Sequence, residues 1–452
     1  MQLTALESSR SSQSMHSSRA AHPANGFAAP RARDRAARCL VRWTVGVGVA
    51  LAGLFAGSRA NAQVVTADAS YSIYHEAPTR TNMTVLNPGL ELSVKPTEWF
   101  GIRGGYEADV VSGASVAVKA GPAYAANNPG ADVITAASVR DYRHLPHGGI
   151  SLKKGDVTFL ANYSYSTEND YKSHSFNLAA RTEIFEHNTQ IELGYARNFD
   201  RVCDRVQGAN DAVTKLRALE DSNGCFTDDP LRTTHSIGVD GFQGSLTQAW
   251  TPIFVTQLVY TGQLQTGFLS NPYRSVIVGQ GQRAQEHHPD DRARHALALR
   301  ANVFLRPFKL ALRFGVRAYA DSWGVKSGTG ELELEKIFGE SFRVTGVGRF
   351  YKQTGALFFS DDYTGGDSPL GPKGQYFTGD RELSPFFSVL AGIRLGYSVT
   401  ATDKKYLGFI QSLRIGTSAS VTFFRYEDFT LGGVGIGASR SYLLGLNGGG
   451  SF

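Results

Sequence analysis

The sequence predicts an all-β chain: a transmembrane, antiparallel, up-and-down β-barrel of the outer-membrane type with about 16 strands, behind a cleaved N-terminal signal peptide. Three observations carry this. An export signal stands near the N-terminus, no apolar run long enough for a membrane helix follows it, and segments of about ten residues alternate apolar and polar side chains.

The leader comes first. Arg31, Arg33, Arg35, Arg38 and Arg42 form a positive n-region, and the run from Trp43 to Phe55 (WTVGVGVALAGLF) is apolar and uncharged. That run suits an h-region and is too short to span a bilayer. Ala60-Asn61-Ala62 places small residues for signal peptidase, so Gln63 becomes the new N-terminus. The expected division is therefore a leader at 1–62 and a single barrel domain at 63–452. The leader also explains the charge. Its arginines against Glu7 and Asp34 account for the whole formal net charge of +6, leaving the remainder neutral. The basic balance is thus no argument for a nucleic-acid partner.

Cysteine usage fits an oxidising compartment. Cys39 leaves with the leader, and Cys203 and Cys225 remain in a polar segment. A Cys203–Cys225 disulfide is expected there, closing a loop worth about 3 kcal/mol on the chain-entropy model.

Strands follow from period-2 alternation. Along 310–319 the even positions read Leu310, Leu312, Phe314, Val316 and Ala318, with Arg313, Gly315 and Arg317 between. Along 297–305 the odd positions are Leu297, Leu299, Ala301, Val303 and Leu305, with Arg300 and Asn302 between. The same pattern places strands near 65–76, 83–95, 99–111, 143–153, 156–167, 170–183, 188–199, 232–248, 252–268, 291–305, 308–320, 323–336, 341–355, 383–399, 407–425 and 432–446. Tyr and Phe gather near segment ends, as aromatic girdles do. Connectors alternate in length. Tight ones fall at Pro96-Thr97, Lys154-Gly155, Glu186-His187, Thr251-Pro252, Arg306-Pro307, Gly339-Glu340 and Thr402-Asp403. Every long one (112–142, 200–231, 269–290, 356–382) falls in the other set. Short periplasmic turns and long external loops produce that asymmetry. Arg440 falls on the apolar face of the last strand, and Gly448-Gly449-Gly450 weakens its terminal pattern.

Several segments resemble a bacterial exported family catalogued as domain of unknown function 3570. They are Asp109-Val-Val-Ser-Gly-Ala-Ser115, Leu269-Ser-Asn-Pro-Tyr-Arg274, Glu286-His-His-Pro-Asp-Asp-Arg-Ala-Arg-His-Ala-Leu297, Tyr319-Ala-Asp-Ser-Trp-Gly-Val-Lys-Ser327, Arg349-Phe-Tyr-Lys-Gln-Thr-Gly-Ala356 and Gly379-Asp-Arg-Glu-Leu-Ser384. The resemblance implies an outer-membrane barrel and a possible redox-linked partner, and it brings no established activity.

Candidate functional residues are the charges expected to line the lumen. Arg300, Arg313, Arg317, Arg343 and Arg349 stand opposite apolar faces, and Glu331, Glu333 and Glu335 share one face of a strand whose other face carries Leu332 and Leu334. If strands pair in order, an acidic column lies between basic columns. That field would orient dipolar solutes in a water-filled pore. The other reading is that the charges neutralise one another and hold the strands in register.

Other sites are weaker. His287-His288 with Asp290 and Asp291 could offer metal donors, but adjacent histidines on an extended chain point apart. Asp361, Asp362 and Asp367 lack the calcium-loop spacing. His174-Ser175 and His235-Ser236 are adjacent pairs whose side chains diverge, and Asp228-Asp229 with His235 is a common kind of rim cluster. No catalytic residue, metal site or cofactor is expected, and the protein is not expected to be an enzyme.

The leading expectation is a porin-like transport channel for small polar or charged solutes in the outer membrane of a Gram-negative bacterium. Its partners would be outer-membrane lipids and, during biogenesis, the barrel assembly machinery. The alternative is a non-conducting structural sheath or docking scaffold for a periplasmic or surface partner. Loops folded into the bore would discriminate: an open constriction favours the channel, a plugged bore the scaffold.

Overall fold

The computed structural model describes residues 64–76, 82–114, 133–135, 140–168, 170–205, 226, 232–271, 274–278, 282–360, 363, 375–401, 406–431, 434–435 and 438–452. The leader at 1–62 and Cys225 lie outside the described residues.

Alternation becomes a closed wall. Sixteen antiparallel strands pair in sequence order: β1 (Val64–Glu76), β2 (Asn82–Lys95), β3 (Phe100–Ala114), β4 (Arg140–Lys154), β5 (Val157–Thr167), β6 (Tyr171–Ile184), β7 (Thr189–Arg205), β8 (Arg232–Thr251), β9 (Phe254–Gly267), β10 (Asp291–Leu305), β11 (Leu310–Asp321), β12 (Lys326–Phe338), β13 (Phe342–Gln353), β14 (Phe386–Thr400), β15 (Ser412–Tyr426) and β16 (Ala438–Ser451). β16 returns to β1 over eleven registered pairs, from Thr66↔Ser451 to Glu76↔Ser441, so the sheet has no free edge. Among the described residues no helix is long and apolar enough to cross a membrane, and in a barrel the strands do that work.

Register sorts the faces. The row Leu258↔Leu299↔Val316↔Gly330↔Phe350↔Val389↔Phe423 runs round one outward side of the wall. Trp99, Phe185, Trp250, Phe308 and Phe338 stand exposed at the end with tight turns. Tyr106, Tyr142, Tyr163, Tyr260 and Tyr442 stand exposed toward the end with long connectors. Two aromatic girdles thus bracket an apolar band. Three tyrosines of the second girdle bond histidines on the same outward face: Tyr106 to His144 at 2.5 Å, Tyr163 to His174 at 2.8 Å and Tyr260 to His295 at 2.9 Å.

The expected strands all form, most within a few residues of the alternating pattern. The tight turn expected at Thr402-Asp403 lies outside the described residues. β14 ends at Thr400 and β15 starts at Ser412, because Leu407 and Gly408 take positive φ and close a Tyr406–Ile410 bridge. That local turn takes the first residues of the expected strand out of the ladder. Arg440 is on the outward face as read, with its guanidinium 5.4 Å from the Phe423 ring centre. Cys203 is fully buried and disulfide-bonded. With Cys225 as its partner, the unreduced, unfolded protein should show no free mature-chain thiol to a maleimide. Two labelled cysteines would refute the pairing.

Candidate pore and constriction

The inward faces of β11, β12 and β13 bring the expected charge columns together. Arg313 is registered opposite Glu333, and Arg349 opposite Glu331. Arg313 reaches two carboxylates, with Nη1 3.3 Å from Glu333 Oε2 and Nη2 3.1 Å from Glu335 Oε2. Arg349 Nε lies 3.4 Å from Glu331 Oε1. Sequence reasoning missed Arg394 on β14, whose Nη2 is 2.7 Å from Glu333 Oε1. Its signal was present, since it stands between Ile393 and Leu395 in an alternating run. Arg300 is registered opposite Gly315, Arg317 faces inward 5.8 Å from the Tyr319 ring centre, and Arg343 is exposed near the turn end. These groups are partly exposed, so each contact is worth little in stability. Their importance is the field they make.

Glycines let these contacts cross a strand. Asp68 on β1 and Arg414 on β15 are both registered with Gly449 of β16, and they meet over it at 2.6 Å. A Cβ at Gly449 would stand 1.9 Å from Asp68 Oδ1. Gly105 likewise lies between Glu91 and His147, which approach to 3.6 Å. Gly149 lies between Arg103 and Asn162, joined at 2.9 Å. The glycine run that weakens the last strand by propensity therefore lets an ion pair span the closing seam.

Around the bore the charges segregate. The inward positions of β10–β15 carry Arg292, Arg294, Arg300, Arg313, Arg317, Arg343, Arg349, Arg394 and Arg414 against Asp321, Glu331, Glu333 and Glu335. The facing wall of β1–β7 carries Asp68, Glu76, Glu91, Glu107, Asp109, Glu183, Glu192, Asp200 and Asp204 against Lys95, Arg103, Arg143, Lys153 and Arg181. One wall is basic in excess and the other acidic, so a transverse field crosses the bore.

At the long-connector end, described residues of the connectors after β9, β11 and β13 pack against the inward face of the wall. The reason is hydrophobic burial. Leu269, Trp323, Val325, Ala356, Phe358 and Leu383 form one buried core with Val202, Ile237 and Val239, which face inward from β7 and β8. Trp323 also donates from Nε1 to the Asp291 carbonyl at 2.9 Å and lies 4.1 Å under the Arg292 guanidinium. Arg292 in turn meets Asp321 at 2.5 Å. His287 and His288 point apart. His287 is exposed and stacks on Tyr376, while His288 is buried against Trp323 and Phe358, with Nδ1 3.0 Å from the Leu269 carbonyl. Glu286 is fully buried and accepts from Thr378 Oγ1 and the Gly379 N–H. Asp228, Asp229, Asp361, Asp362 and Asp367 lie outside the described residues.

The segment 375–385 then reaches the other side of the mouth. Arg381 donates to both carboxylate oxygens of Glu76 on β1, at 2.6 and 3.1 Å. Burial works against its charge, and Tyr426 and Glu76 outweigh that and hold its pKa above the ordinary value. Gln353 Nε2 anchors the segment to β13 through the carbonyls of Glu382 and Ser384. A strap thus runs from the β7–β13 core to β1 across the mouth.

Comparison with known proteins adds a family. A siderophore receptor of Acinetobacter baumannii, PirA, aligns at 11% identity and a TM-score of 0.40, covering 79% of this chain and 53% of its own. The chain thus spans about half the length of the siderophore receptors it matches. A bacterial polysaccharide outer membrane secretin aligns at 9% identity and 0.43, covering 87% of this chain and 99% of its own. OccD3 (OpdP) of Pseudomonas aeruginosa aligns at 8% identity and 0.39, covering 88% and 93%. No curated protein matches the sequence. A family model described as Protein of unknown function (DUF3570) matches residues 50–409, and the chain belongs to that family.

Proposed function

We propose that the protein is a non-catalytic channel of the Gram-negative outer membrane for small polar or charged solutes. Residues 1–62 direct export and are cleaved after Ala62. The barrel assembly machinery then inserts 63–452, with the long connectors outward. The observation that supports this best is the segregation of charge between facing walls of a polar bore. A water-filled pore needs an inward polar face. A wall that only neutralised itself would gain nothing from collecting basic groups on one side. Such a field favours dipolar and zwitterionic solutes, which can turn each end to its complementary wall.

One observation supports a second reading. The core around Trp323 and Phe358 occupies part of the outer bore, as a docking scaffold for a periplasmic or surface partner would allow. Single-channel recording on purified, refolded protein separates the two. Discrete ohmic steps are expected, and a silent bilayer with folded protein would put the scaffold first. Orientation has its own check. A tag near Gly208 or Gly366 should bind antibody on intact cells, and one at Lys154-Gly155 only after the outer membrane is breached. The reverse pattern would invert the topology.

A further inference from the structure

Two populations of glycine stand on opposite faces of this wall. Those at 105, 149 and 449 face inward, and a Cβ at any of them would strike a neighbouring polar side chain. Gly328 and Gly330 on β12 and Gly346 and Gly348 on β13 face outward, and a Cβ at any of these would meet nothing within 4 Å. Their φ values are not in the left-handed region. Neither backbone conformation nor internal packing therefore calls for glycine, although glycine weakens a strand. The space they leave opens outward.

Beside Gly328 and Gly330 that space forms an open groove of about 630 Å³. Leu258, Leu297 and Leu299 form one flank and Phe350 the other, with Ala318, Gly328 and Gly330 on the floor. Its volume falls within the ~300–1,000 Å³ of ordinary small-molecule sites, and its lining is apolar apart from Arg317 and Thr329, which occupy inward positions, and Lys352 at one end. There, toward the long connectors, Lys352 is registered with Gly328, and Lys326 follows one outward position beyond. Both lysines are exposed. Lys352 shares Glu427 at 3.1 Å, and Lys326 has no acidic partner among the described residues. An apolar slot closed by two cations matches an amphiphile with a hydrocarbon tail and an anionic head. On this wall the tail would lie in the bilayer and the head at the girdle level.

We propose that this groove binds a phosphorylated glycolipid of the outer leaflet. One acyl chain lies along Gly328 and Gly330, and a phosphate is held by Lys326 and Lys352. The charge selects phosphate over a neutral headgroup, and the position at the long-connector end selects the outer leaflet. The proposal rests on the proposed placement in an outer membrane with the long connectors outward, and it does not require conduction.

The test uses the full mature protein in detergent, exposed to bis-phosphorylated lipid A or to the dephosphorylated lipid, with retained lipid counted by native mass spectrometry. Wild type should retain one phosphorylated lipid and at least tenfold less of the dephosphorylated one. Gly330→Leu fills the floor and should lower retention of both by at least tenfold. Lys326→Gln with Lys352→Gln should lower only the phosphorylated lipid, to the level of the dephosphorylated. Heat-dependent gel mobility checks that each variant is a folded barrel, and both changes lie outside the bore, so conductance should stay at the wild-type value. Equal retention by wild type and Gly330→Leu would overturn the proposal. So would a lipid-free dimer that Gly330→Leu converts to monomer, which would make the groove a contact between copies.

Discussion

Replacing Glu333 and Glu335 by Gln should shift the channel toward anions by about tenfold in permeability ratio. The two carboxylates hold Arg313 at 3.3 and 3.1 Å, and Glu333 also holds Arg394 at 2.7 Å. Without them, both guanidiniums face the bore unopposed. A unit charge contributes ~1 kcal/mol at 4 Å in water, and two such changes amount to about a factor of ten or more. The effect should shrink at high salt, because the Debye length falls from about 10 Å at 0.1 M to about 3 Å at 1 M. Arg317→Gln with Arg349→Gln should move selectivity toward cations, since Glu331 loses the partner 3.4 Å away. Reversal potentials under a salt gradient read both shifts. A conducting protein indifferent to both changes would assign these side chains to holding strand register, as the directly opposed pairs Arg313↔Glu333 and Arg349↔Glu331 also permit.

How much of this is legible in the sequence depends on the range of the interaction. Alternation along 291–305 and 310–321 is a property of single strands, so it placed β10 and β11 closely. Consecutive hairpins fix each strand's neighbour, so the order of the charge columns followed once strands and tight turns were known. The glycine crossings were not legible. They depend on register between three strands, as at Asp68, Gly449 and Arg414, and a shift of one residue would turn each group to the other face. The strap was less legible still. Leu269 and Phe358 are scattered apolar residues in segments without periodicity, and Trp323 stands at the start of the strand expected over 323–336 that begins at Lys326 instead. Their common core forms only because three connectors converge over the same side of the bore. The buried Arg381–Glu76 pair joins residues 305 positions apart, a distance at which no local pattern survives. Loop length groups these connectors at one end of the barrel and carries no information about where an apolar side chain finds cover.

Arg381→Ala should raise single-channel conductance severalfold while leaving the barrel intact. Arg381 holds the far end of the strap through both oxygens of Glu76, whose side chain is only 4% exposed. Removing one partner of such a pair strands the other charge at a cost of about 3–5 kcal/mol. The strap can relieve that cost by lifting, which hydrates Glu76 and opens the mouth. The near end responds to a different force. Trp323→Ala removes the ring that packs on His288, Phe358 and Arg292, at about 3–5 kcal/mol. It should widen the mouth from the β11–β12 side. The barrel ladder does not pass through either residue, so heat-dependent mobility on gels should be unchanged in both variants. Charge and sterics can be told apart with Glu76→Gln plus Arg381→Gln, which removes the stranded carboxylate and leaves two amides able to bond. That double variant should conduct less than Arg381→Ala and more than wild type. Ion selectivity set by the deeper columns should remain close to wild type in the double variant, because Arg313, Glu333 and Glu335 keep their contacts. If Arg381→Ala and Trp323→Ala both conduct as wild type does, the strap does not limit flow, and the narrowest point must lie among the facing charged walls below it.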